Sequence, residues 1–177
     1  MPAEFNPHDM LRVLLEHEVE FIVIGGFAAV IHGSPLPTLH LDITPLHGKA
    51  NLGRLSAALS DLKAMVRAVE LDEPLPHGHD ADSLGAAQVW NLRTLSGDLD
   101  ISFVPTGTTG YHDLRRDAAV EDFRGLPVLV ASLADVIRSK EPAGRDKDRR
   151  VLPVLREILA RRLHEKQLDK STGVPLL

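Results

Sequence analysis

Hydrophobic residues recur along the chain at two spacings, one helical and one alternating, which predict helices and strands respectively. Leu52, Leu55, Leu59 and Leu62 form one apolar stripe of a helix predicted over residues 49–64. Further helices are predicted after the Asn6-Pro7 cap and over 27–32, 111–119, 133–140 and 146–165. Strands are predicted over 21–24, 39–44, 89–95, 98–104, 120–123 and 128–131.

This order of elements predicts an α+β fold whose sheet is mixed or antiparallel. Residues 1–166 are predicted to form a single domain with a helical C-terminal part over 132–166, and 167–177 a flexible tail. Pro153 is expected to kink the last helix or to mark its true start. Residues 72–85 are rich in Pro, His, Gly and Asp, and we predict a mobile loop there.

The composition narrows the classes of function without choosing one. The 177 residues include 25 acidic and 20 basic side chains, and the formal net charge of −5 argues against unspecific coating of nucleic acid. The chain has no cysteine, which excludes a disulfide framework, a thiolate metal site and a cysteine nucleophile. No apolar run approaches the roughly 20 residues of a membrane helix, and no signal-peptide pattern opens the chain, so we expect a cytoplasmic protein with no membrane partner.

Two glycines that follow the first predicted strand begin the first candidate site. Gly25-Gly26 would let backbone amides approach a phosphate at the start of the next helix. On the following strand, His40 and Asp42 alternate onto one face, where their side chains could hold a divalent cation. A pair of glycines is also common in a simple tight turn, so Asp42, a carboxylate between apolar neighbours, is the more informative residue.

A second pair of carboxylates alternates along the strand after the predicted Ser96-Gly97 hairpin turn. Asp98 and Asp100 share one face, with apolar residues on the other. If this strand neighbours the strand of Asp42, either carboxylate can supply another oxygen ligand for a cation such as Mg²⁺. A solvated edge strand explains the same pattern, and the residues alone leave both interpretations open.

A charged segment separates the last two predicted helices. Lys140, at the end of one helix, suits a phosphate contact, and an Asp that opens the next helix suits a positioned base or a metal partner. A solvated helix junction whose charges complement the helix dipoles explains the same residues. His77 and His79 look like part of a metal cluster, but no further ligand follows at zinc-site spacing, which favours a polar loop.

Taken in order, these segments resemble the polymerase-β-like nucleotidyltransferases, specifically the small proteins grouped with the AbiE-type (AbiEii/MenT) toxins. The family pattern is a strand ending in Gly-Gly or Gly-Ser, a short helix, an acidic-x-acidic pair, a further strand carboxylate and a Lys…Arg-x-Lys/Arg-Asp segment. It matches residues 21–26, 38–42, 98–100 and 140–148. The resemblance covers most of residues 20–160 and implies a mixed sheet flanked by helices.

The resemblance implies that a nucleoside monophosphate is transferred from an NTP to a hydroxyl, with release of pyrophosphate. In the toxin branch the acceptor is typically the 3′ end of tRNA, and a cognate antitoxin is an expected partner. By position, the implied nucleotide contacts are Gly25, Gly26, Thr38 and Lys140, the implied ligands of Mg²⁺ or Mn²⁺ are His40, Asp42 and Asp100, and the implied catalytic residues are Asp42, Lys140 and Asp148.

The first metal position departs from the family pattern. Where the family carries Thr-x-Asp-x-Asp, this chain has Thr38-Leu39-His40-Leu41-Asp42, and neutral imidazole is a poorer ligand for Mg²⁺ than a carboxylate. Three explanations stay open: an inactive relative that still binds a nucleotide or a partner, an enzyme that uses a softer metal such as Mn²⁺ or Zn²⁺, and an inactivating change. A second departure is Leu36, where relatives often carry a basic residue.

Two hypotheses from different classes result. The first is a toxin-type nucleotidyltransferase whose activity is weakened by His40. The second is a non-catalytic family member that acts as a nucleotide-binding or partner-binding module. A kinase-like phosphoryl transferase is disfavoured because the P-loop and kinase signatures are absent from the sequence.

Overall fold

The computed structural model describes residues 4–67, 75–76 and 78–172, and these ranges contain seven helices and eight strands. The helices are α1 (Pro7–Glu16), α2 (Gly25–Ile31), α3 (Lys49–Asp61), α4 (Ala81–Ala86), α5 (Tyr111–Arg115), α6 (Leu133–Ala143) and α7 (Asp146–Thr172). The strands are β1 (Phe21–Ile24), β2 (His40–Pro45), β3 (Met65–Val66), β4 (Leu75–Pro76), β5 (Val89–Thr94), β6 (Gly97–Ser102), β7 (Ala119–Phe123) and β8 (Leu126–Val130).

The strands form one mixed sheet in the order β4-β3-β5-β6-β2-β1-β8-β7. Strand β2 runs antiparallel to β1 and parallel to β6, while β1 runs parallel to β8. The predicted α+β fold with a mixed sheet is therefore confirmed. The parallel pairing of β2 with β6 places the two acidic strands side by side at the centre of the sheet.

Alternation along these two strands separates an apolar face from a polar one. Leu41 and Ile43 of β2, and Leu99 and Ile101 of β6, are fully buried in the core. Burying each of these side chains stabilises the fold by about 1.5–3 kcal/mol, and a slip of one residue would exchange the two faces. The apolar face therefore fixes the direction in which the intervening carboxylates point.

Helix boundaries follow local capping and chain-breaking residues. Asn6 caps α1 by accepting a hydrogen bond from the backbone N–H of Asp9, and Ser132 caps α6 in the same way with Asp135. Helix α5 ends at Arg115, earlier than predicted, because β7 already begins at Ala119. The first hairpin is also shifted by one residue: Thr94 pairs with Gly97, so Leu95-Ser96 form the turn.

The predicted end of the last helix, near residue 165, is corrected, while the flexibility of the tail over 167–177 stays a prediction. Helix α7 continues through Pro153 without interruption and ends at Thr172, so residues 167–172 are helical. No Gly or Pro occurs between Pro153 and Gly173, which explains why the helix is not broken at the predicted position. Residues 173–177 lie outside the described ranges. In the part of the chain that is described, no helix is long and apolar enough to cross a membrane.

The predicted loop over 72–85 is corrected at residues 75–76, which form strand β4, and at residues 81–85. Residues 81–85 belong to helix α4, which opens with a capping box. The Asp80 carboxylate accepts a hydrogen bond from the N–H of Ser83 at 2.8 Å, and the Ser83 hydroxyl accepts one from the N–H of Asp80 at 2.9 Å. Residues 72–74 and His77 lie outside the described residues, so the prediction of a polar loop at His77 stays a prediction.

A buried carboxylate ties α5 to α6. Asp113 accepts a hydrogen bond from the backbone N–H of Thr109 at 3.0 Å, pairs with Arg138 at 3.0 Å and also pairs with Arg116. These contacts, first the Thr109 N–H and then Arg138, outweigh the opposing effect of burial and lower the pKa of Asp113 to about 2.

Because its folded-state pKa lies below the ordinary value of 3.8, Asp113 contributes stability above that pH and loses the contribution as the pH falls towards 2. We expect Asp113→Asn to lower the free energy of unfolding by about 1–3 kcal/mol at pH 7. Urea unfolding measured between pH 7 and pH 2 checks this, with the exposed Asp117→Asn as the matched control. Equal losses in the two variants, or a difference that persists at pH 2, would contradict the assignment.

Candidate functional site

The register of β2 and β6 brings the three predicted metal ligands together. Asp42 lies beside Asp100, and His40 lies beside Asp98. The Nε2 atom of His40 is 3.4 Å from Oδ2 of Asp42 and 3.9 Å from Oδ2 of Asp100. One ligand atom from each of His40, Asp42 and Asp100 lies within 4.8 Å of the others. Asp98, the other candidate for the third carboxylate, is held by two arginines instead.

The electrostatics of this cluster favour a bound cation. Burial raises the pKa of Asp42 above its usual range, and the charge of the neighbouring Asp100 raises it further. Electrostatic interactions with the nearby His40, Lys147 and Lys140 oppose this rise without cancelling it. An additional positive charge between the two carboxylates would therefore stabilise their ionised forms.

A side chain larger than hydrogen does not fit at Gly25 and would be tightly packed at Gly26. Gly25 has a φ of +63°, and a Cβ atom there would lie 2.5 Å from Oδ2 of Asp42. A Cβ atom on Gly26 would lie 3.1 Å from Oγ1 of Thr38, and the hydroxyl of Thr38 donates to the carbonyl of His40 at 3.2 Å. The glycines thus allow the end of β1 to approach the acidic strand closely. Their predicted contact with phosphate stays a prediction.

Lys140 and Asp148 form a buried ion pair that joins α6 to α7. The ammonium of Lys140 lies 3.1 Å from Oδ1 of Asp148, and Nε of Arg145 lies 2.7 Å from the other carboxylate oxygen. Burial alone would raise the pKa of Asp148, but the hydrogen bonds from Arg145 and Lys140 outweigh it and hold the pKa below its usual range. Asp148 is fully buried, and these two cations stabilise its ionised form.

Two arginines near the carboxylates carry a role that the sequence did not reveal. Arg67 pairs with Asp98 at 3.1 Å and also pairs with Oδ1 of Asp100. Arg93 forms a two-point contact with Asp98 at 2.8 and 3.2 Å. Arg93 lies directly opposite Asp98 in the hairpin, so a correct hairpin register would have predicted that pair. Arg67 is 33 residues from Asp100 in the chain, and no local pattern indicates the contact.

The glycines, Lys140 and the His40–Asp42–Asp100 cluster line one cavity of about 830 Å³, within the roughly 300–1,000 Å³ usual for ligand sites. Its polar lining contains the predicted residues Gly25, Gly26, Thr38, His40, Asp42, Asp100 and Lys140. Three cations of the α6–α7 junction, Arg145, Lys147 and Arg150, line the same space. The rim is apolar at Leu36, Leu39 and Val89, which are 40%, 77% and 53% exposed.

Comparison with known proteins identifies the fold but no family. No protein-family model and no curated protein matches the chain. A Thermotoga maritima protein assigned as a nucleotidyltransferase superposes with a TM-score of 0.54 at 15% identity, over 92% of this chain and 97% of that one. The lincosamide antibiotic adenylyltransferase LnuA, solved with lincomycin bound, gives a TM-score of 0.60 at 10% identity, over 88% and 99%.

A third structure, ANT(2″)-Ia in complex with adenylyl-2″-tobramycin, gives a TM-score of 0.52 at 16% identity, over 92% of this chain and 90% of that one. At such identities the likeness establishes the fold alone. The predicted nucleotidyltransferase fold is confirmed. The narrower resemblance to AbiEii/MenT toxins stays a prediction.

We expect Gly25→Ala to disrupt the carboxylate cluster as well as the backbone. The positive φ alone costs about 1–2 kcal/mol for a residue with a Cβ atom, and the contact with Asp42 adds to it. Gly125→Ala is the matched control, since Gly125 has a φ of +86° and nothing within 4 Å of the added Cβ. Chemical unfolding should show the larger loss for Gly25→Ala, and calorimetry should show weakened divalent-cation binding in that variant alone. Similar losses with intact binding in both would contradict the close approach.

A double-mutant cycle tests the buried pair. We expect Lys140→Met to lower the free energy of unfolding by about 3 kcal/mol, because it leaves a fully buried carboxylate with one partner. Adding Asp148→Leu should recover part of that loss, giving a coupling energy of about 1–3 kcal/mol. The exposed pair of Arg161 with Glu157 serves as the control, with an expected coupling of about 0.5 kcal/mol or less. A coupling energy between Lys140 and Asp148 no larger than about 0.5 kcal/mol, the value expected for the exposed pair, would show that the buried pair is not energetically linked.

Proposed function

We propose that the protein transfers a nucleoside monophosphate from an NTP to a hydroxyl group of an acceptor and releases pyrophosphate. The observation that carries the proposal is the convergence of Asp42, Asp100 and His40 in a cavity that also contains Gly25 and Lys140. Two of the structural neighbours are adenylyltransferases or carry an adenylylated product, which supports this class of reaction.

The donor set fits a divalent cation. Two carboxylates and an imidazole present ligand atoms within 4.8 Å of one another, and a cation that also contacts substrate phosphates needs only one or two protein carboxylates. The raised pKa of Asp42, caused by burial and by Asp100, indicates that added positive charge would be stabilising there. Such an ion supplies charge neutralisation of the phosphates and orientation for an in-line displacement.

The chain's own residues surround the path of the triphosphate. In this proposal the backbone at Gly25 and Gly26 lies against the phosphates, and the space left by their missing side chains allows that approach. Lys140 keeps one hydrogen bond to Asp148 and directs its remaining N–H groups to the phosphates. Lys147 and Arg150 add positive charge on the same side of the cavity.

The proposed transfer is a single displacement at the α-phosphorus of the NTP. The acceptor oxygen forms a bond to the α-phosphorus while the bond from that phosphorus to the β-phosphate oxygen breaks, and pyrophosphate leaves with the electron pair. A carboxylate of the cluster takes up the proton of the attacking hydroxyl. Lys140, held in place by Asp148, stabilises the charge that develops on the leaving group.

For the acceptor we propose the 3′ hydroxyl of an RNA, as the sequence resemblance to tRNA-modifying toxins implies. The exposed cations at the α6–α7 junction support it, since RNA recognition requires contacts to phosphates as well as to the reacting end. A cognate antitoxin belongs to the same proposal, and a pull-down with the product of the adjacent gene tests it. The neighbours solved with lincomycin and with a tobramycin product make a small hydroxyl compound the competing acceptor.

A non-catalytic nucleotide-binding module is the second candidate, and His40 is the observation that favours it. The imidazole stands beside Asp42 and Asp100 where an anionic ligand would hold Mg²⁺ more tightly. In that case the NTP would bind between the glycines and Lys140 without being consumed.

Incubation with α-labelled NTPs separates these functions. Each of the four NTPs is supplied with Mg²⁺ or Mn²⁺ and with total tRNA, lincomycin or tobramycin as acceptor. We expect labelled RNA from the unmodified protein with Mn²⁺, a higher rate from His40→Asp with Mg²⁺, and a loss of about 10²–10³-fold in Asp42→Asn. His47→Gln, an exposed histidine outside the cavity, is the control.

The other outcomes are equally specific. Label in lincomycin or tobramycin instead of RNA would show that the acceptor is a small hydroxyl compound, and it would still support nucleotidyl transfer. Product from His40→Asp alone would identify the unmodified protein as the binding module. No labelled product from either form, with any metal or acceptor, would contradict nucleotidyl transfer.

A further inference from the structure

We propose that His40 makes the carboxylate cluster selective for a first-row transition ion, with Mn²⁺ as the representative probe, over Mg²⁺. The inference rests on the cation site of the proposed function and names the class of ion that this site takes. It concerns the chain's own departure from a purely carboxylate donor set, and it can be tested by binding alone.

The spacing of the donor atoms suits a shared ion. Two ligands about 2.2 Å from one ion are about 3.1 Å apart at a right angle and at most about 4.4 Å apart when they lie opposite each other. The Nε2 atom of His40 lies 3.4 Å from Asp42 Oδ2 and 3.9 Å from Asp100 Oδ2, between those limits. These two distances allow the imidazole to share one ion with the carboxylates, whose ligand atoms and its own all lie within 4.8 Å of one another.

The anionic oxygens left for a cation are few. Oδ1 of Asp100 is engaged by Arg67, so Oδ2 is the oxygen of that carboxylate that faces His40. Asp98, the next carboxylate on the same face, is held by Arg67 and Arg93. The cluster thus offers two carboxylates, one of them shared with a guanidinium, together with a neutral nitrogen.

Mg²⁺ and transition ions respond differently to this set. Mg²⁺ depends on charged oxygen ligands and gains little from imidazole, whereas Mn²⁺, Co²⁺ and Zn²⁺ also accept imidazole nitrogen, with an affinity that rises from Mn²⁺ to Co²⁺. With the imidazole of His40 as its third donor, the set offers Mg²⁺ one charged oxygen fewer than three carboxylates would and offers transition ions a nitrogen that they accept. Selectivity then follows from one side chain.

The strand geometry limits other ways of placing the imidazole. The carbonyl of His40 accepts a hydrogen bond from the Thr38 hydroxyl, and Thr38 in turn packs against Gly26. Leu41, the next residue, is fully buried on the opposite face of the sheet. These contacts hold the start of β2 so that the His40 side chain stays on the side of Asp42 and Asp100.

The test titrates the full, metal-free chain by calorimetry with MgCl₂, MnCl₂, CoCl₂ and ZnCl₂, and records pulsed EPR spectra of the Mn²⁺ complex. We expect Mn²⁺ to bind about tenfold or more tightly than Mg²⁺, with a nitrogen coupling from one imidazole in the EPR spectrum. His40→Asp should reduce this preference, and His40→Ala should remove the nitrogen coupling and weaken Mn²⁺ binding about tenfold or more. His47→Ala is the control, and circular dichroism confirms that every variant is folded.

Unchanged Mn²⁺ affinity in folded His40→Ala, or a Mn²⁺ spectrum without nitrogen coupling, would overturn the inference. The result is independent of catalysis. Imidazole-dependent Mn²⁺ binding without any labelled product would keep the inference and contradict the proposed function. Labelled product with Mg²⁺ and Mn²⁺ alike, without nitrogen coupling, would support the proposed function and contradict the inference about His40.

Discussion

The parallel pairing of β2 with β6 is the constraint on which the rest of the site depends. Leu41, Ile43, Leu99 and Ile101 bury one face of these strands completely, and their register leaves Asp42 beside Asp100 on the other face. Two neighbouring carboxylates repel each other, and the hydrophobic stabilisation of the fold offsets this repulsion and keeps them together. Such a costly arrangement is typical of a site that binds a cation.

Positively charged side chains lie on both sides of Asp42 and Asp100, and carboxylates hold those on each side in place. On the β5 side, Arg67 and Arg93 bind Asp98, and Arg67 also reaches Asp100. On the other side, Lys140 borders the cavity and is held by Asp148, which is itself fully buried. Arg67 and Arg93 form ion pairs with carboxylates of the sheet, whereas Lys147 and Arg150 of the α6–α7 junction line the cavity. This asymmetry places a triphosphate on the helical side of Asp42 in the function that we propose.

Much of this arrangement could be predicted from the sequence because it is encoded locally. The alternation in β2 and β6 predicted which residues share a face. The glycines were predicted to approach a phosphate, and the close approach of Gly25 to Asp42 is known only from the structure. Arg67 could not be predicted, since its contact with Asp100 arises only when β3, β5 and β6 assemble. Helix α4 was not predicted because its segment is rich in Pro, His, Gly and Asp, although Asp80 and Ser83 form a capping box that marks its start. The end of α7 was predicted too early, although no Gly or Pro precedes Gly173 to end the helix.

The most direct measurement is a crystal structure of the protein grown with Mn²⁺ and a non-hydrolysable ATP analogue, with anomalous diffraction recorded at the manganese edge. We expect an anomalous peak bonded to Asp42, Asp100 and the imidazole of His40, with the phosphates lying between the Gly25–Gly26 backbone and Lys140. A peak elsewhere, or a nucleotide bound outside this cavity, would contradict the central claim that the register of β2 and β6 builds a metal-dependent nucleotide site.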